Sequence, residues 1–204
     1  MFDRGKFTGV VLAGGRGRRM GGLDKGLISF RGVPMAMQVL DVLQTVVDEV
    51  LISANRNRDI YESWGVQVVE DLSSGFDGPL AGLLAAMKAV DTPYVLTVPC
   101  DTPLLTQEVV ERLCRAVEAG KKDLCIASQG DLWHPVFMVA HTRLMGDLKD
   151  YLEAGERRVR YWLMRHEPSL VDFSDYPDVF LNINSMEALD QLESKIMIQE
   201  ASKK

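Results

Sequence analysis

The sequence predicts a three-layer α/β/α domain around a mostly parallel sheet. Strand-length apolar runs alternate with helix-period segments across residues 6–128. The runs are too continuously apolar to leave one face wet, so helices must cover both faces of the sheet. Glycines and acids gather where the strands end, and ligands of open parallel sheets collect outside those carboxyl ends.

Taken in order, "FTGVVLA" (7–13) is a buried strand running into a glycine-rich loop. "PMAMQVLDVLQTVV" (34–47) has apolar residues at helical intervals, with Pro34 placed for a first turn. "DEVLISAN" is a second strand and "VQVVED" a third, ending in Asp71. "GPLAGLLAAMKAV" (78–90) is a helix with proline at its start, and "PYVLTVPCD" (93–101) a fourth strand. "TQEVVERLCRAVEAG" is a helix with Thr106 as N-cap and Gly120 as its stop, and "KDLCIAS" is a fifth strand. Beyond Gly130 the rhythm loosens. "HPVFMVA" reads as a strand, "TRLMGDLKDYLEAG" and "ERRVRYWLMRH" as helices, and "SLVDFSD" and "DVFLNIN" as short extended pieces. "SMEALDQLESKIMI" closes the chain as a helix capped by Ser185, with "EASKK" as a frayed tail.

The 204 residues suffice for one core, so the expectation is a single domain over 1–204, with residues 6–128 and 129–200 as its two parts. A net charge of −6 argues against nucleic acid as a partner. Positive charge clusters only at Arg16, Arg18, Arg19 and Lys25, which suits a small phosphorylated ligand. Three unpaired-looking cysteines give no disulfide framework, and neither a signal peptide nor a membrane-spanning run stands out. The expected location is the cytoplasm, away from membranes.

"LAGGRGRRMGGLDKG" (12–26) combines glycines that let backbone N–H groups approach an oxyanion with cations that neutralise it. It is not a Walker A loop, because Lys25 stands in "DKG" rather than G-K-[ST]. The dinucleotide fingerprint is only loosely imitated, since the spacing from Gly15 gives Gly17 but then Met20 where a glycine is needed. A flexible turn with solvated arginines is the competing reading.

Gly14, Ser53, Asp71 and Asp101 are all expected at or just beyond strand ends. Asp101, in "TVPCDTP", is placed to hold Mg²⁺ with substrate phosphates, or to cap the following turn. Asp71 could fix a base edge, a ribose hydroxyl or the metal, or cap a loop. Asp24 orients Lys25. In "GFDGPLAG" (75–82), close ligand approach and tight helix packing both account for Gly82. His134, with Trp133 beside it, could meet a second substrate or be structural. The basic stretch 155–166 could reach an anionic second substrate or be a solvated helix face, and Asn182 and Asn184 could bind ligand or shape a loop. Cys100, Cys114 and Cys125 have no zinc-type spacing and read as inert.

"VLAGGRGRRMGGLDKG", "VVED", "GPLAG", "PCDTP", "HP" and "FLNINS", in this order over nearly the whole chain, resemble the molybdenum cofactor guanylyltransferases. The resemblance implies a Rossmann-like sheet of the nucleotidyltransferase type. It implies transfer of GMP from GTP to the terminal phosphate of molybdenum-bound molybdopterin with release of pyrophosphate, and Mg²⁺ (or Mn²⁺) as cofactor. Carried over, Leu12, Ala13, Gly14, Gly15, Ser53 and Asp71 line the nucleotide site. Lys25 contacts the triphosphate with Arg19 in support, Asp101 holds the metal, and Asn182, Asn184 and His134 face the pterin-side substrate. Ser53 departs from the family, which can show asparagine there, so water, Asn55 or backbone groups would supply its contact. A cofactor so labile implies hand-off contacts with other proteins of its biosynthesis. The rival readings are a CTP-dependent molybdopterin cytidylyltransferase, a small sugar-phosphate nucleotidyltransferase and a non-catalytic nucleotide-binding regulator.

Overall fold

The computed structural model describes residues 2–15, 22–71 and 78–202. Arg16, Gly17, Arg18, Arg19, Met20, Gly21 and Gly75, singled out above, lie outside the described residues. The chain runs β1 (Phe7–Leu12), β2 (Ser29–Phe30), β3 (Val33–Pro34), α1 (Met35–Val46), β4 (Glu49–Ser53), α2 (Arg58–Glu62), β5 (Gln67–Val69) and α3 (Pro79–Ala89). It continues with β6 (Tyr94–Pro99), α4 (Gln107–Gly120), β7 (Leu124–Gln129), β8 (Leu132–His141), α5 (Met145–Glu153), α6 (Val159–Arg165), β9 (Ser169–Asp172) and α7 (Met186–Ala201).

Seven strands form one sheet in the order β5-β4-β1-β6-β8-β7-β9, while β2 and β3 make a separate small hairpin. β5, β4, β1 and β6 pair in parallel, and β9 pairs in parallel with β7. β8 is antiparallel to both its neighbours. The sheet is therefore mostly parallel, as expected, with one reversed strand threaded between β6 and β7.

Alternation along the strands sends neighbouring residues to opposite cores. On β1, Val11 joins one cluster with Leu43, Leu113 and Phe137 beneath α1 and α4. Val10 joins the other with Leu80, Leu83, Leu148 and Trp162 beneath α3, α5 and α6. These two clusters are the three-layer sandwich. Gly9 has a packing reason: a Cβ there would come within 3.2 Å of Leu43 and Val47, so its absence lets α1 settle onto β1. α3 has no side-chain cap, but Pro79 opens it and Leu80–Met87 are buried throughout. Each fully buried leucine there is worth about 1.5–3 kcal/mol against exposure, so packing rather than capping holds the helix.

Several local expectations are corrected. "DVFLNIN" is not extended: residues 177–180 are turns, and 181–184 form a loop without ladder pairing. The helix expected to stop at Gly120 includes it, and the left-handed terminating residue is Lys121, at φ 47°. Thr106 occupies the N-cap position but makes no side-chain cap bond. Pro34 sits just before α1 rather than in its first turn. The tail is not wholly frayed, for α7 runs to Ala201 and Glu200 pairs with Arg31 at 2.9 Å. Ser185 caps α7 as expected, accepting from the Ala188 N–H at 3.1 Å. The hairpin β2–β3 and the short α2 had no sequence signal strong enough to find. Among the described residues, no helix is long and apolar enough to cross a membrane.

Candidate functional site

Backbone pairing continues past the ends of the parallel strands and fixes what lies there. The Ala13 N–H donates to the Ser53 carbonyl at 2.8 Å, Ala54 to Val69 at 2.9 Å, and Cys100 to Leu12 at 3.1 Å. Gly14, Asn55, Asp71 and Asp101 are thereby held side by side along one edge of the sheet. Because β8 is reversed, its start reaches this same edge.

A cavity of about 540 Å³ opens there. Ten residues proposed from the sequence line it: Leu12, Ala13, Gly14, Gly15, Lys25, Ser53, Asp71, Asp101, Asn182 and Asn184. Gly78, Pro79 and Gly82 of α3 and the turn before it also contribute, as do Pro99, Cys100 and Val136. Val136 was missed because it looks like any strand residue. Only the reversal of β8 brings it to this end.

Asp101 is the polar centre and is 8% exposed. Lys25 donates to its Oδ2 at 2.9 Å, and the Asn182 amide donates to its Oδ1 at 2.7 Å. Its carbonyl accepts from the Ile183 N–H at 2.9 Å, which draws the 181–184 loop onto the sheet edge. Lys25 also donates to Asn184 Oδ1 at 2.6 Å. One ammonium, one carboxylate and two carboxamides from segments far apart in sequence thus form one connected cluster.

Lys25 is set by Asp24, whose side chain caps the short 3-10 turn Lys25–Leu27 by accepting from the Gly26 N–H at 3.1 Å. The Tyr61 hydroxyl donates to the same carboxylate at 2.8 Å and Asn57 to its other oxygen at 2.9 Å. Burial, with the Asp24 charge beside it, pushes the Tyr61 phenol well above its ordinary value, so it remains a donor. Gly26 admits this arrangement, since a Cβ there would lie 2.5 Å from the Tyr61 oxygen.

At the other side of the cavity, Asn55 and Asp71 bond reciprocally. Asn55 Nδ2 donates to Asp71 Oδ2 at 2.8 Å, and the Asp71 N–H donates to Asn55 Oδ1 at 2.9 Å. Asn55 therefore orients Asp71, and it is not among the residues that line the cavity. Ser53 is buried, and a Cβ on Gly82 would lie 2.7 Å from its Oγ. Gly82 is required by this close packing of α3 on the cavity wall.

Other expected residues stand apart. His134 does not line the cavity: it stacks on Phe180 at 4.2 Å and shares a 2.8 Å hydrogen bond with Gln129. Burial lowers its pKa, which keeps the imidazole neutral near pH 7. None of residues 155–166 lines the cavity either. Arg160 lies over Trp133, Arg158 over Tyr161, and Arg165 pairs with Asp147. All three cysteines are free and buried. Burial pushes the Cys125 thiol up to about 12 and also raises Cys100 and Cys114, so none offers a thiolate. Among the described residues, no group of three or more His, Cys, Asp or Glu could hold a metal.

The lining therefore combines an apolar, backbone-walled groove with a cation–carboxylate cluster at one end. It suits a ligand with a flat part and an anionic part.

Comparison with known proteins is consistent with that chemistry. Residues 9–169 match the MobA-like NTP transferase domain family. The molybdenum cofactor guanylyltransferase of Shewanella frigidimarina is 42% identical over 187 residues, 92% of this chain and 95% of that protein. The protein of the same name from Shewanella sp. (strain W3-18-1) is 43% identical over the same shares. Among solved structures, molybdopterin-guanine dinucleotide biosynthesis protein A from Archaeoglobus fulgidus superposes with a TM-score of 0.78, covering 93% of this chain and 98% of that one. At 22% identity, that likeness speaks for the fold alone. The chain belongs to the MobA-like NTP transferase family, among the molybdenum cofactor guanylyltransferases, and is a nucleotidyltransferase.

Proposed function

We propose that the protein transfers GMP from GTP to the terminal phosphate of molybdenum-bound molybdopterin and releases pyrophosphate. The observation that carries this reading is the Lys25–Asp101–Asn182–Asn184 cluster at one end of a groove whose other wall holds Gly14, Asp71 and Gly82. The nucleotide lies with its base toward Asp71 and its triphosphate toward Lys25. The acceptor approaches from the side of the asparagine loop.

An acceptor phosphate oxygen forms the new bond to the α-phosphorus while the bond from that phosphorus to the pyrophosphate oxygen breaks. Both reactants are anionic, so orientation and charge compensation are the main demands on the protein. The acceptor is already ionised, and no general base is needed. Lys25 moves from Asp101 to the phosphates and offsets charge on departing pyrophosphate, with Arg19 assigned the same role by family likeness. Asn182 keeps Asp101 oriented when the lysine leaves.

The donor set around Asp101 fits a hard divalent cation. The cluster holds one carboxylate and the Asn184 carboxamide oxygen, burial keeps the nearby Cys100 thiol protonated, and Mg²⁺ is commonly held by one or two carboxylates with substrate phosphates and waters completing its shell. Asp101 would hold Mg²⁺ or Mn²⁺, which would supply charge neutralisation at the phosphates. The protein would work without nucleic acid or membrane and would receive the pterin from other proteins of the same biosynthesis.

The test is pyrophosphate release with GTP, CTP, UTP and ATP in the presence of molybdenum-bound molybdopterin, with and without Mg²⁺. GTP with Mg²⁺ is expected to give the fastest turnover. A preference for CTP, or GTP binding without any pyrophosphate release, would overturn the assignment in favour of a cytidylyltransferase or a non-catalytic regulator.

A further inference from the structure

Just after β4, three consecutive side chains reach residues that line the cavity or adjoin its lining. Asn55 holds Asp71 through both ends of its amide, at 2.8 and 2.9 Å. Arg56 donates from Nη2 to the Gly15 carbonyl at 3.0 Å and from Nη1 to the Gly22 carbonyl at 2.9 Å. Asn57 donates to Asp24, the residue that caps the turn carrying Lys25, at 2.9 Å.

The backbone beneath these side chains is anchored independently of what they hold. The Ala54 N–H is tied to Val69, and the Asn57 carbonyl accepts from Ile60 and Tyr61 at the start of α2. Asn57 adopts φ 52°, ψ 32°, a left-handed conformation that asparagine tolerates better than most residues. This turn lets successive side chains diverge. Gly14 completes the fit, for a Cβ there would come within 3.0 Å of Asn55 Nδ2.

We propose that Asn55, Arg56 and Asn57 form one positioning unit for the nucleotide cavity, with Arg56 joining the two stems of the glycine-rich loop through a single guanidinium. The planar fork is the decisive chemistry. Its two donors have a fixed spacing, so bonding both carbonyls sets the distance between Gly15 and Gly22. A lysine carries the same charge on one nitrogen and cannot reproduce that fixed bridge. Fixing the two stems relative to each other before a ligand arrives is preorganisation, which lowers the cost of binding. None of the three residues is assigned contact with reacting atoms. They act through Asp71, Gly15, Gly22 and Asp24.

The functional half of the inference rests on the nucleotide-transfer reading, so the experiment has one arm that does not. Amide hydrogen exchange is measured on the ligand-free full chain for the parent, Arg56→Ala and Arg56→Lys. Both variants are expected to exchange faster at residues 12–15 and 22–27, with β6 and β7 unchanged. In turnover assays, Arg56→Ala is expected to raise KM for GTP about tenfold while kcat changes less, the scale of one lost charge-assisted hydrogen bond. Arg56→Lys is expected to resemble Arg56→Ala, and Asn55→Ala to give a smaller rise. Unchanged exchange in both Arg56 variants would overturn the proposal. So would faster exchange throughout the chain, which marks a general structural role, or full rescue by lysine, which marks charge alone. Should the parent turn over no nucleotide, the transfer reading fails, and the exchange arm still decides whether Arg56 bridges the stems.

Discussion

Two carboxylates in this molecule each gather several donors, and they do different work. Asp101 receives Lys25 and Asn182, residues 76 and 81 positions away, at the edge of the cavity. Asp147 receives the Trp162 indole at 2.9 Å, Arg165 at 2.7 Å and His166 at 2.8 Å, all within 19 positions, where α5 meets α6. The Asp101 partners come from an early turn and a late loop that only the sheet brings together, and they surround open space. The Asp147 partners come from the next helix and its C-terminal cap, and neither they nor Asp147 line the cavity. A polar network drawn from distant segments around a cavity is a site. One drawn from neighbours and set apart from the cavity is a pin.

The largest effect that would break this contrast belongs to Asp101. Asp101→Asn keeps the shape but removes the charge, and pyrophosphate release is expected to fall about 10²–10³-fold with the fold intact by circular dichroism. Lys25→Met should cost less, about 10- to 100-fold in kcat/KM, as one or two charge-assisted contacts are lost. Full activity in either variant would dissolve the distinction between site and pin. Gly82→Ala sharpens it by moving the wall alone: the new Cβ presses on Ser53 and Leu12 at 2.7 and 2.8 Å, and about 1–3 kcal/mol of stability should go with a raised KM for GTP.

Asp147→Ala is expected to leave turnover untouched and to lower stability by about 1–3 kcal/mol, because the buried Trp162 indole loses its acceptor. Thermal melting beside an activity assay separates the two outcomes. The smallest effect is in pH. Burial pushes the Asp147 carboxyl up, but hydrogen bonds from His166 and Trp162, with the charges of His166 and Arg165, outweigh it and leave the pKa below the usual carboxylate range. A depressed folded pKa gives stability that is present above the unfolded value near 4 and lost as pH falls through the folded one. Melting of the parent and Asp147→Asn should therefore converge at the acid end of that window and stay apart above it. A constant gap through the window would show that Asp147 acts without its charge.

Much of the site was legible because a single rule locates it. Residues that follow apolar strands lie at the carboxyl edge of a parallel sheet, and Gly14, Ser53, Asp71 and Asp101 obey that rule. The asparagine loop was legible only as a choice between ligand binding and loop shaping, and family likeness supplied its pterin-side role. Its place against Asp101 depends on the Ile183 backbone bond, which no local pattern encodes. His134 shows the converse. Its "HP" setting drew attention, but the register shift in β7–β8 and the Phe180 ring give it a packing position instead. Arg56 went unnoticed because an arginine in "NRN" looks like any solvated loop cation until its two carbonyl acceptors are seen.

The sequence by itself determined the layers, the order of nearly all the strands and helices, and the residues at the strand ends, because periodicity and apolar content act locally. Only the tertiary structure decided that β8 runs backward between β6 and β7, that Asn182 and Lys25 meet on one carboxylate, and that Arg56 ties Gly15 to Gly22. Those outcomes depend on which distant backbone groups pair once the whole sheet has formed. The free energy that selects them is shared across the core and is not written in any single segment.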